Sequence, residues 1–356
     1  MEAIMSDGAG ALQRRNSTII QTMCQLFPAF ATGAMNSSLF LLFFTPFVAL
    51  YLAWLWPAYV VPPAVAYYLF SYDGTERKEG RPWPGFTERF WIMRLARAYH
   101  DFQVHLDPAL DASNMTGEDK FVFGLHPHGV LSDYRILLDG VTAEHFPKLR
   151  SWRALAASVL FKFPVWRDIC LWSHCIDAGR ETAQLALDRG HSLFIVVGGE
   201  HEQARFQRGE FGKEVLYLKN RMGFVKLALR NGVPLVPAYV FGANDTFRTS
   251  NVLRKTRLAI VKNLRVAFPL FWGRFGLPIP REVPLRAVFG APLEFKKKEG
   301  DGGGGGDGGN VVQGGLREVS DEDVRQAHAE YVLALRRLFD EKKGSFGYGD
   351  RELVIL

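Results

Sequence analysis

Apolar residues cluster unevenly along the chain. From Ser37 to Tyr72 no charged residue occurs, and the heart of this stretch reads SLFLLFFTPFVALYLAWLWPAYVVPPAVAYYLF. One bilayer crossing takes roughly 20 apolar residues, so the run is too long for a single span. Proline interrupts helices, and Trp56-Pro57 with Pro62-Pro63 offers a turn between two arms. The pattern predicts a membrane-embedded helical hairpin over residues 37–72, either crossing twice or re-entering from one side. Arg14 and Arg15 precede it; Arg77, Lys78 and Arg81 follow. Positive charge at both ends places residues 1–36 and the rest of the chain on the cytosolic side. Trp54, Trp56, Tyr59, Tyr67 and Tyr68 suit the bilayer interface. The run starts too far from the terminus, and is too long, for a cleaved signal peptide.

Residues 73–118 form a connector. Within it Phe86, Phe90 and Met93 fall on one helical face, and Arg89, Arg94 and Arg97 suit either lipid phosphates or solvent. The core, residues 119–299, changes period. FVFGL is a short strand, Glu181 to Asp188 a helix stopped by Gly190, and SLFIVV a buried strand. Arg221 to Arg230 is a second helix, ended by Asn231-Gly232, and PLVPAYVFG a further strand. This alternation predicts an α/β fold with a mainly parallel sheet and crossover helices. Active sites of such sheets gather at the carboxyl ends of the strands. Residues 300–316 are a Gly-rich insert, read as disordered. In the last segment, 317–356, Val324, His328, Tyr331, Leu335 and Leu338 share one face of a docking helix.

Composition narrows the function. Apolar residues make up 48% of the 356 positions, enough for a substantial core, and the net charge is +6. A basic balance fits nucleic acid, an anionic bilayer, or a polyphosphate ligand such as coenzyme A. No zinc-finger spacing, RNA-binding signature or dense basic tract supports nucleic acid, which is set aside. Three cysteines, Cys24, Cys170 and Cys175, are too few for a disulfide framework. Cys170, His174 and Cys175 lie close together without a zinc spacing, so buried thiols beside a histidine are expected and no metal site.

The sharpest chemical feature is His126-Pro127-His128-Gly129, directly after FVFGL. Proline stiffens the backbone between the histidines and Gly129 permits close approach of a substrate. A histidine is the natural base for an alcohol proton. Asp133 completes a His-x-x-x-x-Asp spacing from His128 and is placed to orient the imidazole. A pair of loop histidines with a surface aspartate would look the same. VVGGEHEQ follows a strand, so Glu202 either polarises a histidine or orders a loop, while Gly198 and Gly199 offer backbone N–H groups. Arg221 and Lys226, at a helix start, either hold coenzyme A phosphates or make an ordinary solvated face.

Taken together, HPHG, then VVGG-x-x-E, then R-x-G-F-x-K-x-A-x-x-x-G-x-x-L-V-P-x-x-x-F-G resemble the type-2 diacylglycerol acyltransferase family, which includes monoacylglycerol acyltransferases and some wax synthases. The likeness runs from about Phe121 through Phe295 and resumes in the terminal helix. It implies a glycerolipid-acyltransferase-like fold and transfer of an acyl group from acyl-CoA to diacylglycerol. Acyl-CoA is then a substrate, and neither cofactor nor metal is implied. The resemblance marks His126 and His128 as the essential histidines, His128 as the base, and Glu202 as the family's glutamate. It marks Arg221, Gly223, Phe224, Lys226, Pro237 and Gly242 as the long motif. It also implies an endoplasmic-reticulum protein with a cytosol-facing site, also found near lipid droplets. Three departures stand out. Ala243 replaces the usual acidic or amide residue, with Asn244 one place later; a Tyr-Phe-Pro element is missing from AYHDFQVHLDP; and Asp133 is not part of the family pattern. Monoacylglycerol or a long-chain alcohol therefore stays open as acceptor. VVGGEHEQ replaces the F-P-E-G-T-R-like block that marks lysophospholipid acyltransferases. An inactive lipid-binding or droplet-anchoring protein is the alternative from another class, and a homo-oligomer is left open.

Overall fold

The computed structural model describes residues 48–111, 115, 119–163, 165–199, 202–203, 212–250, 252, 256–257, 259, 270–277, 279–295, 311–312 and 316–356. Its centre is a seven-stranded sheet in the order β1-β10-β7-β2-β5-β3-β4. The strands are β1 (Gln103–Leu106), β2 (Val122–His126), β3 (Trp152–Ala156), β4 (Cys175–Asp177), β5 (Ser192–Val196), β7 (Leu235–Phe241) and β10 (Arg286–Phe289). Strands β7, β2, β5, β3 and β4 run parallel; β10 pairs antiparallel with β7, and β1 runs parallel to β10. The expectation of a mainly parallel α/β sheet holds. Three short pairs lie outside it: β6 (Lys213–Leu216) with β13 (Glu352–Ile355), β8 (Arg248–Thr249) with β9 (Phe271–Trp272), and β11 (Val311–Val312) with β12 (Leu316–Arg317).

Helices cover both faces, as buried parallel strands require. Alternate residues of β2 point to opposite layers. Phe123 and Leu125 join α3 (Tyr134–His145) and α4 (Trp166–Trp172), and there Phe123 stacks on Phe194 at 4.4 Å. Val122 joins the opposite layer of α5 (Arg180–Asp188), α6 (Gly223–Asn231) and α7 (Asp321–Lys343). Gly190 and Gly232, both at positive φ, end α5 and α6 where the sequence placed the stops. α7 opens with a reciprocal Ser320–Asp323 capping box and buries Val324, His328, Tyr331, Leu335 and Leu338, the face expected for docking.

Two expectations change. Residues 37–47 of the hairpin lie outside the described residues. The remainder is helical over 48–55 and in α1 (Pro57–Ser71), with the break at Trp56. Pro62 and Pro63 sit inside α1 and make no turn. No helix among the described residues is long and apolar enough to cross a membrane. α1 nevertheless buries no residue, and Tyr59, Leu69 and Phe70 project outward at 75–85% exposure. Its tether is Tyr67, whose hydroxyl donates to Asp168 of α4 at 2.5 Å. The connector is not one amphipathic helix either. A turn over Gly85–Arg89 breaks at Phe90 before α2 (Trp91–Tyr99). Phe86 and Met93 are buried while Phe90 is exposed. Arg97 turns inward and donates to the Thr87 and Glu88 carbonyls, so it faces no lipid phosphate.

One contact fixes how α7 meets the sheet. A Cβ on Gly124 would lie 2.1 Å from the Tyr331 hydroxyl oxygen, so that strand position takes no side chain. We expect Gly124→Ala to cost about 1–3 kcal/mol, the usual penalty for overpacking a core. In a Tyr331→Phe background the added cost of the alanine should be smaller. A denaturant double-mutant cycle measures the difference, and equal costs in both backgrounds would refute this account.

Candidate active site

Three adjacent parallel strands, β5, β2 and β7, bring their carboxyl ends together, and the motifs singled out in the sequence follow them. His126 ends β2; Gly198, Gly199 and Glu202 follow β5; Gly242, Ala243 and Asn244 follow β7. The two histidines part company here. His126 is buried, and its Nε2–H donates to the Tyr331 hydroxyl at 3.0 Å, which itself donates to the Gly124 carbonyl at 3.1 Å. Burial, with His328 nearby, holds its pKa down to about 3, so the ring is neutral at ordinary pH. The His126–Pro127 peptide bond is cis.

His128 is only part-buried, and its loop is bracketed by side chains. Glu202 Oε1 accepts the His128 backbone N–H at 2.5 Å, and Ser132 Oγ donates to the His128 carbonyl at 2.9 Å. The Tyr134 hydroxyl donates to the Pro127 carbonyl at 2.7 Å, and Gln203 Nε2 to the Val130 carbonyl at 2.5 Å. The imidazole Nδ1–H donates to the Gly129 carbonyl at 3.1 Å. A carbonyl cannot donate, so Nδ1 carries a proton, and in the neutral ring the lone pair is on Nε2. Gly129 turns the chain at φ 62°.

Glu202 is a brace for this loop. Its second oxygen accepts the Tyr217 N–H at 3.1 Å, and burial pushes its pKa up to about 7 against those hydrogen bonds and the charge of Arg221. A Cβ on Gly198 would fall 2.4 Å from the Glu202 carboxylate, so Gly198 makes room for it. Of the two roles expected for Glu202, ordering the loop is the one its hydrogen bonds serve. Asp133 differs from expectation. Its carboxylate caps α3 through the Tyr134 N–H at 3.2 Å, and its electrostatic neighbour is His100. That bond sets one carboxylate oxygen at the helix start.

The long motif divides in the same way. Arg221 donates to the Gly198 carbonyl at 3.1 Å, joining the β5 loop to the start of α6. Phe224 is buried edge-on against Tyr331, with ring centres 5.0 Å apart. Pro237 lies opposite Gly124 in the β2–β7 register. Gly242 turns the chain at φ 90°, where a Cβ would strike the Pro284 carbonyl at 2.3 Å. A Cβ on Gly223 would meet nothing within 4 Å, so open space surrounds it. Lys226, expected either to hold coenzyme A phosphates or to make an ordinary solvated face, pairs at 3.1 Å with Asp321 at the exposed start of α7, which is the solvated reading. Such a pair contributes little to stability. Cys170 and Cys175 are buried thiols, and His174 bonds Asp139 at 2.8 Å, as expected for a packed cluster. Sequence reasoning missed Tyr331 as a site residue, because 205 positions separate it from His126. It also missed a buried network in which Glu214 accepts from Tyr239, Asn244 and Arg351.

A neutral buried histidine and a braced, part-buried one thus lie together at the carboxyl end of a parallel sheet, where such folds carry their chemistry. Comparison with known proteins gives the class. Residues 48–302 match the family model described as diacylglycerol acyltransferase, and the chain belongs to this family. It is an O-acyltransferase. It is 30% identical over 338 residues to human 2-acylglycerol O-acyltransferase 3, covering 89% of this chain and 91% of that one. It is 28% identical over 311 residues to Bos taurus diacylglycerol O-acyltransferase 2, covering 82% and 78%. Among solved structures it is similar to the 1-acyl-sn-glycerophosphate (LPA) acyltransferase of Thermotoga maritima. That likeness has a TM-score of 0.38 and 16% identity, over 77% of this chain and 90% of the other.

The Glu202 brace makes a prediction about pH. Its carboxyl sits at about 7 in the fold against an ordinary 4.5, so the folded chain holds a proton that the unfolded chain releases earlier. Stability from this group therefore falls as pH rises from about 4.5 to about 7. Glu202→Gln should flatten that slope in urea titrations at pH 5 and 7. It should also leave the His128 or the Tyr217 N–H unpaired, at about 1–3 kcal/mol. An unchanged slope would remove the buried, proton-holding carboxyl from the account.

Proposed function

We propose that the chain transfers the acyl group of acyl-CoA to the free hydroxyl of diacylglycerol, with His128 as general base. The observation that carries the reading is the His128 ring: Nδ1–H is committed to the Gly129 carbonyl, which leaves the lone pair of the neutral ring on Nε2. Nε2 takes the hydroxyl proton as the alcohol oxygen attacks the thioester carbonyl. The tetrahedral oxyanion is met by backbone N–H groups at Gly129 or at Gly198 and Gly199. Collapse restores the carbonyl, the C–S bond breaks, and the imidazolium returns its proton to the departing coenzyme A thiolate. His126 serves as a neutral strut for the strand below, since a buried base near pKa 3 is too weak for the task.

Acyl-CoA is a substrate in this reading and no cofactor or metal takes part. Arg221 supplies positive charge beside the site for the coenzyme A phosphates. The outward aromatic and aliphatic residues of α1 suit the apolar border of a bilayer, the depth at which a diglyceride lies. We place the protein at the cytosolic face of the endoplasmic reticulum membrane, with lipid droplets as a second surface. Monoacylglycerol is the second acceptor reading, favoured by the 30% identity to a 2-acylglycerol O-acyltransferase over most of the chain.

Membranes from a host lacking neutral-lipid synthesis, given labelled oleoyl-CoA and diacylglycerol, monoacylglycerol or hexadecanol, separate these readings by product. Triacylglycerol from the wild type, falling by a factor of about 100 or more in His128→Ala, is the expected result. Diacylglycerol or wax ester as main product would move the acceptor. Equal activity in His128→Ala would end the role of the base.

A further inference from the structure

One buried polar atom beside the His128 loop has no partner. Asn244, just after β7, donates its Nδ2–H to the Glu214 carboxylate. Its Oδ1 is buried and meets no donor among the described residues. A Cβ on Gly129 would lie 3.8 Å from that oxygen, so the orphan faces the residue next to His128. The amide is oriented by its neighbour: both Glu214 oxygens already accept from other side chains, so Asn244 meets the carboxyl through its Nδ2–H. Glu214 is itself fixed, accepting from Arg351 and, at 3.1 Å, from the Tyr239 hydroxyl. Arg351 continues to Asp245 at 2.8 Å, and Tyr348 donates to Asp245 at 3.0 Å. Five hydrogen-bonding side chains, Glu214, Tyr239, Arg351, Asp245 and Tyr348, thus form the network that holds one amide with its acceptor toward the His128 loop. An acceptor left unpaired in such a place costs free energy unless a ligand supplies the hydrogen.

We propose that Asn244 Oδ1 is a substrate-binding acceptor, taking a hydrogen bond from an N–H or O–H of the bound substrate. The proposal rests on the acyl-CoA and glyceride reading above and deepens it. Two donors have the required chemistry. The pantetheine arm of acyl-CoA carries two amide N–H groups beside the reacting thioester. A monoacylglycerol carries a second hydroxyl beside the one that reacts. Diacylglycerol has a single hydroxyl, whose proton goes to His128, so with that acceptor the donor comes from acyl-CoA alone.

The test measures KM for acyl-CoA and for each acceptor separately, in mixed micelles, with wild type, Asn244→Ala, Asn244→Asp and Tyr239→Phe. Tyr239→Phe removes a different hydrogen bond to Glu214 and so reports loosening of the network by itself. We expect Asn244→Ala to raise one KM about ten-fold or more, and Asn244→Asp and Tyr239→Phe, which both keep an acceptor oxygen at position 244, to raise it less. A rise confined to acyl-CoA assigns the donor to the pantetheine amides. A rise confined to monoacylglycerol assigns it to the second hydroxyl. Unchanged KM values, a loss of kcat alone, or equal effects in Asn244→Ala and Tyr239→Phe would overturn the proposal. So would failure of both Asn244 variants to accumulate as folded protein, which would make the residue a support only. A wild type that forms no ester with any acceptor instead defeats the underlying functional reading, and that result is seen before any variant is compared.

Discussion

The site depends on a missing side chain. Strand β2 passes beneath helix α7 at Gly124, and the Tyr331 hydroxyl stands where a Cβ would be, bonded to the Gly124 carbonyl and to His126. That contact sets the distance between sheet and helix at the point where β2 ends. It also ties down the first histidine of the motif, so the loop that starts there leaves the sheet in one direction. Phe224 of α6 packs edge-on against the same tyrosine ring, which brings the start of α6 into register with the strand ends. Large side chains anywhere in this cluster would push the layers apart, and close-packed interiors transmit such shifts.

On that base the two histidines separate into a buried one and a part-buried one. Burial keeps the His126 ring neutral, since the charged ring is costly away from water. His128, one proline further, emerges into a loop whose backbone groups are taken up by Glu202, Ser132, Tyr134 and Gln203. Two side chains from the segment after β5, one from the turn itself and one from the start of α3 hold this short turn, which is how a scaffold fixes a loop in one geometry. Glu202 belongs to this bracket. Its value lies in accepting two backbone N–H groups at once, one on each carboxyl oxygen.

Much of this was legible in the chain. The strand FVFGL, the helices stopped at Gly190 and Gly232 and the apolar face of α7 depend on local periodicity and on glycine's access to positive φ, both of which a linear reading captures. The motifs fall on the loops after β2, β5 and β7, the strand ends where a parallel sheet can carry exposed chemistry. Side-chain partners were less visible. Asp133 has the spacing of a catalytic partner, yet local geometry offers its carboxylate the Tyr134 N–H first. Lys226 reads as a phosphate ligand or a solvated face until α7 places Asp321 beside it. Pro62 and Pro63 read as a turn, but the helix accommodates both within α1.

The sequence by itself determined the class of fold, the order of the motifs and the family, because these rest on periodicity and on short runs whose residues are neighbours in the chain. Only the tertiary structure decided which histidine is buried, that Glu202 braces a backbone, and that Tyr331, Glu214 and Arg351 belong to the surroundings of the site. Those roles include contacts of His126 with Tyr331, His128 with Glu202 and Glu214 with Arg351, whose partners lie 205, 74 and 137 positions apart in the chain. Burial and hydrogen-bond pairing are properties of such long-range contacts, and no local pattern encodes them.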